Sequence, residues 1–147
     1  MPRGERIDLE PDEEIVVVAR ASFRGAAATS TRATFALGSG RMRMKAFAAW
    51  HDAALASGFP RVPADMVIAA TDRRVLFAKP TFWGRVPRQY WSALELEKIA
   101  QIVAVKHGVV TGVAFGFTHG GIVEIEALRG RRLRQLVEAI DERLPRR

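Results

Sequence analysis

Two arginines and the segment after them carry the residue types best suited to contact an anion or a partner chain. Arg73 and Arg74 separate the apolar runs 66–70 and 75–78. The segment that follows interleaves basic and aromatic side chains: Lys79, Phe82, Trp83, Arg85 and Arg88. Arginine forms paired hydrogen bonds with phosphate and carboxylate groups, and aromatic residues beside arginine are typical of lipid and protein interfaces. These seven residues are the candidate ligand-binding or partner-binding residues.

A structural role is the alternative for each part of this set. In a tight turn the two arginines could form salt bridges with Glu95 or Glu97 on a neighbouring strand, or could simply hold the turn in place. Tyr90 and Trp91, at the end of the basic-aromatic segment, could pack in the sheet. The aromatic residues of the loop itself could fold back over that sheet. The residue types alone leave both interpretations open.

The residues that could support catalysis are dispersed along the chain. His51, His107 and His119 lie in different predicted elements and lack the spacing of metal ligands. Asp72 is better explained as a turn former that bonds to nearby backbone N–H groups. No glycine run has the spacing of a phosphate-binding loop. We therefore expect no enzymatic activity, no metal and no cofactor.

Length, charge and composition narrow the possible classes of protein. A chain of 147 residues suits one domain, and the absence of cysteine excludes disulfides and thiolate metal sites. The net charge of +7 favours an anionic partner, although an arginine-rich and alanine-rich composition alone produces the same charge. We expect no specific nucleic-acid binding, because the basic residues are scattered and no reader motif occurs. Without a signal peptide or a long apolar run, we expect a cytoplasmic protein, with attachment to a membrane surface as the alternative.

Hydrophobic periodicity predicts the elements. Residues 1–12 are polar and predict a flexible lead-in, whereas 13–24 alternates as a half-buried strand does. A segment at about 25–60 reads as an insertion that carries a helix over 42–57 and a short strand over 31–37. The other strands are predicted over 66–70, 75–78, 89–97, 102–107, 113–118 and 122–128. An apolar stripe predicts a final helix over 131–144, after which Pro145 ends it.

This order of elements indicates the fold class. Seven short antiparallel strands and one amphipathic helix suggest a twisted sheet that folds on itself, with the helix closing an open end. The prediction is a mainly β protein with two helices, in which residues 13–147 form a single domain.

Several motifs occur in the order typical of one family. They are the acidic-then-apolar opening at 11–16, the hairpin tetrad Thr71 to Arg74, the pattern Leu94-x-Leu96-x-x-Ile99, the Gly120-Gly121 turn and the final helix. The chain resembles the bacterial PH-like (pleckstrin-homology-like or GRAM-like) domain family. The resemblance implies a barrel of seven antiparallel strands in two near-orthogonal sheets, capped by the C-terminal helix, and a binding module without a reaction centre.

The chain departs from the inositide-binding members of that family at the loop between the first two strands. Those members place basic residues around this loop, where this chain has the insertion at 25–60. Arg41, Arg43 and Lys45 lie in the insertion, but on a helix their side chains would fan out instead of converging on one phosphate. The resemblance therefore supplies no ligand.

Three functions are consistent with the sequence. The first is binding of a protein partner, or self-association, through the loop between Pro80 and Trp91. The second is peripheral binding to anionic lipid headgroups through the same loop together with the two arginines of the tetrad. The third is carriage of a small apolar ligand between the inserted helix and the sheet, near the side chains Met42, Met44, Phe47 and Trp50.

Overall fold

A computed structural model of the chain describes residues 7–26, 39–80, 89–128 and 130–145. These residues form nine strands, which are β1 (Ile7–Asp8), β2 (Ile15–Phe23), β3 (Asp65–Thr71), β4 (Arg74–Ala78), β5 (Gln89–Tyr90), β6 (Ser92–Glu95), β7 (Ile99–His107), β8 (Val110–Phe117) and β9 (Ile122–Leu128). Helix α1 spans Ser39–Ala56, helix α2 spans Arg131–Arg143, and a 3₁₀ turn covers Leu96–Lys98. The predicted strand at 31–37 lies outside the described residues.

Seven of the strands form one antiparallel sheet in the order β6-β4-β3-β2-β9-β8-β7. Two meanders make up this sheet, and they join where Ser22 and Phe23 pair with Glu126 and Ile125. The two edge strands, β6 and β7, are connected by only the three residues of the 3₁₀ turn. A connection of this length spans only about 14 Å when it is fully extended. The sheet must therefore curl, so that the end of β6 lies close to the start of β7. The predicted seven-stranded antiparallel sheet with a C-terminal helix is confirmed.

Helix α2 covers the concave side of this sheet. Its stripe of Leu133, Leu136 and Ile140 is buried, as the periodicity predicted, and it packs on β2, β3, β7 and β8. The helix starts directly after Gly130, which lies so close to β8 that an added Cβ would stand 2.6 Å from Cβ of Thr111. A residue without a side chain is therefore required where α2 meets the sheet.

The inserted helix is part of the same core. After α1, Gly58 adopts a φ of +96° and turns the chain so that Phe59 enters the sheet interior. There the centroid of its ring lies 5.1 Å from the ring centroid of Phe77 and 5.5 Å from that of Phe115. On the helix itself, Nε1 of Trp50 donates a hydrogen bond to the carbonyl oxygen of Glu124 at 2.8 Å. The insertion thus supplies core residues instead of forming an appended element.

Residues 7–12, within the segment predicted to be a flexible lead-in, lie against the outer face of the sheet. The backbone of Ile7 pairs with Tyr90, so that β1 and β5 form a small antiparallel ladder. The side chains of Ile7 and Leu9 pack on a second hydrophobic cluster, made of Val67, Ala69, Leu76, Ala78 and Tyr90. Strand β3 is consequently buried on both faces over almost its whole length.

The predicted strand over 89–97 is interrupted at Trp91. Trp91 lies between β5 and β6, and its backbone N–H donates to the carbonyl oxygen of Phe77 on β4 at 2.7 Å. The prediction that Tyr90 packs in the sheet is confirmed, because its side chain is fully buried. For Trp91 that prediction is wrong, because the residue is 42% exposed.

If the insertion belongs to the core, truncating its buried ring must destabilise the whole domain. We expect Phe59→Ala to lower the free energy of unfolding by about 3–5 kcal/mol, because it removes a buried ring and leaves a cavity. The control is Leu55→Ala, at an exposed position on α1, for which a change within about 0.5 kcal/mol is expected. Chemical denaturation monitored by circular dichroism measures both, and equal effects would contradict this placement of the insertion.

Candidate functional site

The structure describes three of the seven candidate site residues. Phe82, Trp83, Arg85 and Arg88 lie outside the described residues, so their roles stay predictions. Lys79 lies directly after β4 and is exposed. Arg73 and Arg74 lie at the β3–β4 turn, and their surroundings define the site.

The hydroxyl of Thr71 organises this turn. Its Oγ1 accepts hydrogen bonds from the backbone N–H groups of Arg73 at 3.1 Å and Arg74 at 3.0 Å. The same hydroxyl donates to Oε2 of Glu13 at 2.7 Å. A short side chain that bonds to the backbone two and three residues onward is typical of tight turns, so the tetrad forms the turn that its sequence predicts. The hydrogen bond from Thr71 to Glu13 also connects the turn to the segment before β2.

Glu13 and Arg74 form an ion pair shielded from water. Nε of Arg74 lies 2.9 Å from Oε2 of Glu13, and Nη2 lies 2.8 Å from Oε1, so both carboxylate oxygens are engaged. The hydrogen bonds from Arg74 lower the pKa of Glu13 to about 2, and Thr71 and the backbone N–H of Glu10 contribute, although burial acts in the opposite direction. The same pairing raises the pKa of Arg74. Both groups are therefore charged at neutral pH.

Arg73 is surrounded by carboxylates from the segment before β2 and from the turn itself. Its guanidinium contacts Glu10, lies 2.5 Å from Oδ2 of Asp12, and lies 3.7 Å from Oδ2 of Asp72. Its hydrogen bond lowers the pKa of Asp12. Asp72 in turn accepts a hydrogen bond from the backbone N–H of Glu14 at 3.1 Å.

The ion pairs of the two arginines therefore run to the segment before β2 and not to Glu95 or Glu97. Glu95 lies directly across from Arg74 in the β4–β6 register and adds only a longer-range attraction. The sequence analysis missed the true partners because it treated residues 1–12, with Glu10 and Asp12, as a lead-in and placed Glu13 at the start of a strand. The cluster of five acidic residues over 8–14 was the signal that could have identified them.

The local charge at the turn is opposite to that of the whole chain. The segment 8–14 and Asp72 carry six carboxylates, against the two guanidinium groups of Arg73 and Arg74, in a chain of net charge +7. An incoming anion would have to displace these carboxylates before it could pair with either arginine. The two arginines thus form an anion site that the chain's own carboxylates already occupy.

One buried polar group under this segment is unsatisfied. The hydroxyl of Tyr90 has no hydrogen-bond partner within the described part of the chain, although the residue is fully buried. Burial, together with the charge of Glu13, raises the pKa of this phenol. A buried hydroxyl without a partner costs about 1–3 kcal/mol. The segment that covers Tyr90 is therefore an imperfect complement to the surface beneath it.

The insertion does not gather its basic residues at one point. Arg43 pairs with Asp65 at 2.7 Å and its guanidinium lies 5.7 Å from the ring centroid of Phe23, whereas Arg41 and Lys45 are exposed. The side chains proposed to enclose an apolar ligand also separate. The ring of Phe47 packs 5.5 Å from that of Phe23 and Trp50 packs beside it, while Met42 and Met44 are exposed.

Two of the three histidines, His51 and His119, have separate structural roles, and the third, His107, is exposed at the end of β7. Nε2 of His51 accepts a hydrogen bond from the backbone N–H of Val62 at 3.2 Å, and burial lowers its pKa. His119 stacks on Phe117, and its Nε2 lies 2.6 Å from the carbonyl oxygen of Ser57. It occupies the turn predicted for it and also contacts the end of α1. Over the described ranges, no three acidic or histidine side chains are arranged to hold a metal ion.

A cleft of about 270 Å³ lies on the outer face of the sheet, lined in part by Arg24, His107, Glu124 and Glu126. Gly112 forms part of its lining, where a side chain would approach the ring of His107. Its charges are already engaged, because Arg24 pairs with Glu124 and the carboxylate of Glu126 accepts a hydrogen bond from Gly25 N–H.

The β7–β8 hairpin forms an exposed arm, defined here as residues 103–110. Strand β7 pairs with β8, and no other described strand pairs with its outer edge, which is called the open edge in that sense. From Val103 onward both faces of β7 are exposed to solvent, apart from the half-buried Val105. At the tip, Val109 is 75% exposed, and Leu128, which lies across from Val110, is 65% exposed. The sequence analysis did not single out this surface, because alternating valines look the same in a covered strand.

Comparison with known proteins adds no identity. No protein-family model matches the chain, and no curated protein gives a significant match. None of the described helices combines the length and the apolar character needed to cross a membrane.

The ion pair of Glu13 must make stability depend on pH in a defined window. Because the pKa is lowered from 4.5 to about 2, its contribution is complete above pH 4.5 and disappears as the pH falls through 2. That shift corresponds to about 3 kcal/mol. We expect Glu13→Gln to be less stable than the parent by about this amount at neutral pH, with a difference that narrows from pH 4.5 towards pH 2. Denaturant titrations across this range measure it.

The control for that experiment is Glu14→Gln, at the exposed neighbouring position. Its difference from the parent is expected to stay small and to vary little with pH. A Glu13→Gln difference that is constant from neutral pH to pH 2 would show that the carboxylate charge contributes nothing to stability.

Proposed function

We propose that this protein is a non-catalytic PH-like interaction module that binds another protein chain. The open edge of β7, together with its exposed arm, is the single observation that carries this proposal. A long unpaired edge strand presents a row of backbone donors and acceptors to solvent, and natural proteins normally protect such edges. Here β7 contains no proline and its one fixed charge is Lys106, near its end.

The curl of the sheet supports closure into the barrel expected of a PH-like domain. The two edge strands are joined by the short 3₁₀ turn, and α2 packs across both β2 and β7. A helix in that position covers the interior between strands that lie apart in the sheet order. Even when the sheet closes, the four residues of β6 are too few to cover the nine of β7, so part of the outer edge of β7 stays without a partner among the described strands.

The mode of binding that fits this edge is addition of an extended segment to the sheet. The main chain of the partner would pair with β7, and pockets between alternate side chains would provide selectivity. Val103 and Val109 supply apolar contact area near the new strand. Self-association through the same edge is one form of this function, because an antiparallel pair of identical strands is closed by a two-fold axis.

Binding to anionic lipid headgroups is the alternative, and the ion pairs at the β3–β4 turn weigh against it. Headgroup phosphates would have to compete with Glu10, Asp12 and Glu13 for the two arginines of the turn. The protein-binding proposal requires no such displacement.

Charged substitutions on the arm must block strand addition. We expect Val103→Lys to lower capture of a partner, or self-association, at least tenfold, because a lysine at a sheet edge opposes pairing. The control is Ile122→Lys: Ile122 is an exposed apolar residue (69%) on β9, which is separated from the β7 edge by β8. Quantitative pull-down and sedimentation velocity measure the effect, and loss in the control as well would contradict the proposal.

Vesicle sedimentation separates the lipid alternative from the proposal. We expect the protein to bind phosphatidylserine-containing and phosphatidylcholine vesicles to the same low extent. Binding that rises with anionic lipid, falls with salt and is lost in Arg73→Gln would favour the alternative instead.

A further inference from the structure

The outer face of β3 and β4 forms a groove with an apolar half and a basic half. The apolar half is the cluster of Val67, Ala69, Leu76, Ala78 and Tyr90. The chain's own residues Ile7 and Leu9, two positions apart, point into it, as alternate residues of an extended strand do. Backbone pairing of Ile7 with Tyr90 sets the register.

The basic half of the groove receives the acidic residues that follow. Arg73 contacts Glu10 and Asp12, and Arg74 holds Glu13 through two hydrogen bonds. The groove thus contacts segment 7–13 through two apolar residues at alternate positions and through the three carboxylates that follow them. Such a pattern of shape and charge recognises a class of extended segment, and does not depend on the segment belonging to the same chain.

Glu13 anchors the end of this segment through its shielded ion pair with Arg74. Two observations indicate that the part of the segment before Glu13 can be replaced. The hydroxyl of Tyr90 is buried beneath the segment without a partner in the described residues, so a segment that offered an acceptor there would make one more hydrogen bond. The contacts of Arg73 lie at the surface, where its carboxylate partners are half-exposed or more. Exposed ion pairs hold a segment weakly and weaken further with salt.

We propose that the groove over β3 and β4 is a binding site for an extended acidic segment of another protein, and that residues 7–12 occupy it as an intramolecular substitute. The ligand class is a stretch with two apolar residues at alternate positions, followed by carboxylates one and three residues after the second. This surface is separate from the β7 edge, and neither proposal depends on the other.

Because residues of the same chain occupy the groove, an external segment must compete with them for binding. A tethered segment acts at an effective concentration on the order of millimolar, so an external ligand of the same sequence binds only to the fraction of molecules whose groove is open. Weakening the tethered segment must therefore strengthen binding of the external one. A purely structural contact predicts no such reciprocity.

The probe is a fluorescein-labelled peptide with the sequence of residues 5–14, titrated by fluorescence anisotropy into the full chain and into Ile7→Ser/Leu9→Ser. The double variant loses the apolar contacts of its own segment but keeps every residue of the groove. We expect the peptide to bind the variant at least tenfold more tightly than the parent. Adding Arg73→Gln to the variant should reverse most of this gain, and a peptide with serine at the position of Leu9 should bind at least tenfold more weakly.

Several results would overturn the proposal. The first is equal affinity of the peptide for the parent and the double variant. The second is no peptide binding to a double variant whose circular dichroism matches that of the parent. The third is equal binding of the original and the serine-substituted peptides, which would indicate charge attraction alone. Exchange of segments between two copies, seen as a dimer in sedimentation velocity, would assign the groove to a second copy and not to another protein. Val103→Lys must leave peptide binding unchanged, so failure of this proposal is distinguishable from failure of the one at β7.

Discussion

The buried ion pair between Glu13 and Arg74 is the constraint on which the surface of this half of the molecule depends. A carboxylate shielded from water is tolerated only when its charge is matched and its oxygens are hydrogen-bonded, and here Arg74 and Thr71 meet both requirements. Because the two partners come from the segment before β2 and from the β3–β4 turn, the pair fixes that segment across the sheet. Its apolar residues then cover β3, which would otherwise expose one hydrophobic face.

Packing on the inner side of the sheet depends on a second long-range contact, made by Phe59. The tail of the inserted helix places Phe59 among aromatic rings contributed by β4 and β8. Helix α2 contacts β2 and β7, strands that are distant in the sheet order, so its burial requires the same curl that the short β6–β7 connection imposes. The insertion, the curled sheet and the final helix therefore form one interdependent core.

The two surfaces proposed for binding differ in how the chain treats them. The outer edge of β7 pairs with none of the other described strands, and both faces of the arm lie in solvent apart from the half-buried Val105. The groove over β3 and β4 is covered by the chain's own acidic segment, which neutralises the arginines that the sequence presents as an anion site. A protein partner at β7 meets a free edge, whereas any ligand of the groove must first compete with a tethered one.

Local pattern by itself determined the elements, because periodicity and turn chemistry act over a few residues. The stripe of α2, the tetrad turn and the β8–β9 turn at His119 are all found where the sequence placed them. Tertiary structure alone decided which side chains meet across long separations. Arg74 binds Glu13, 61 residues away, and not Glu95, which lies across from it in the sheet. Tertiary structure also decided that Trp91 and both faces of the arm on β7 are exposed, because exposure depends on which distant elements pack against a strand and not on its local pattern.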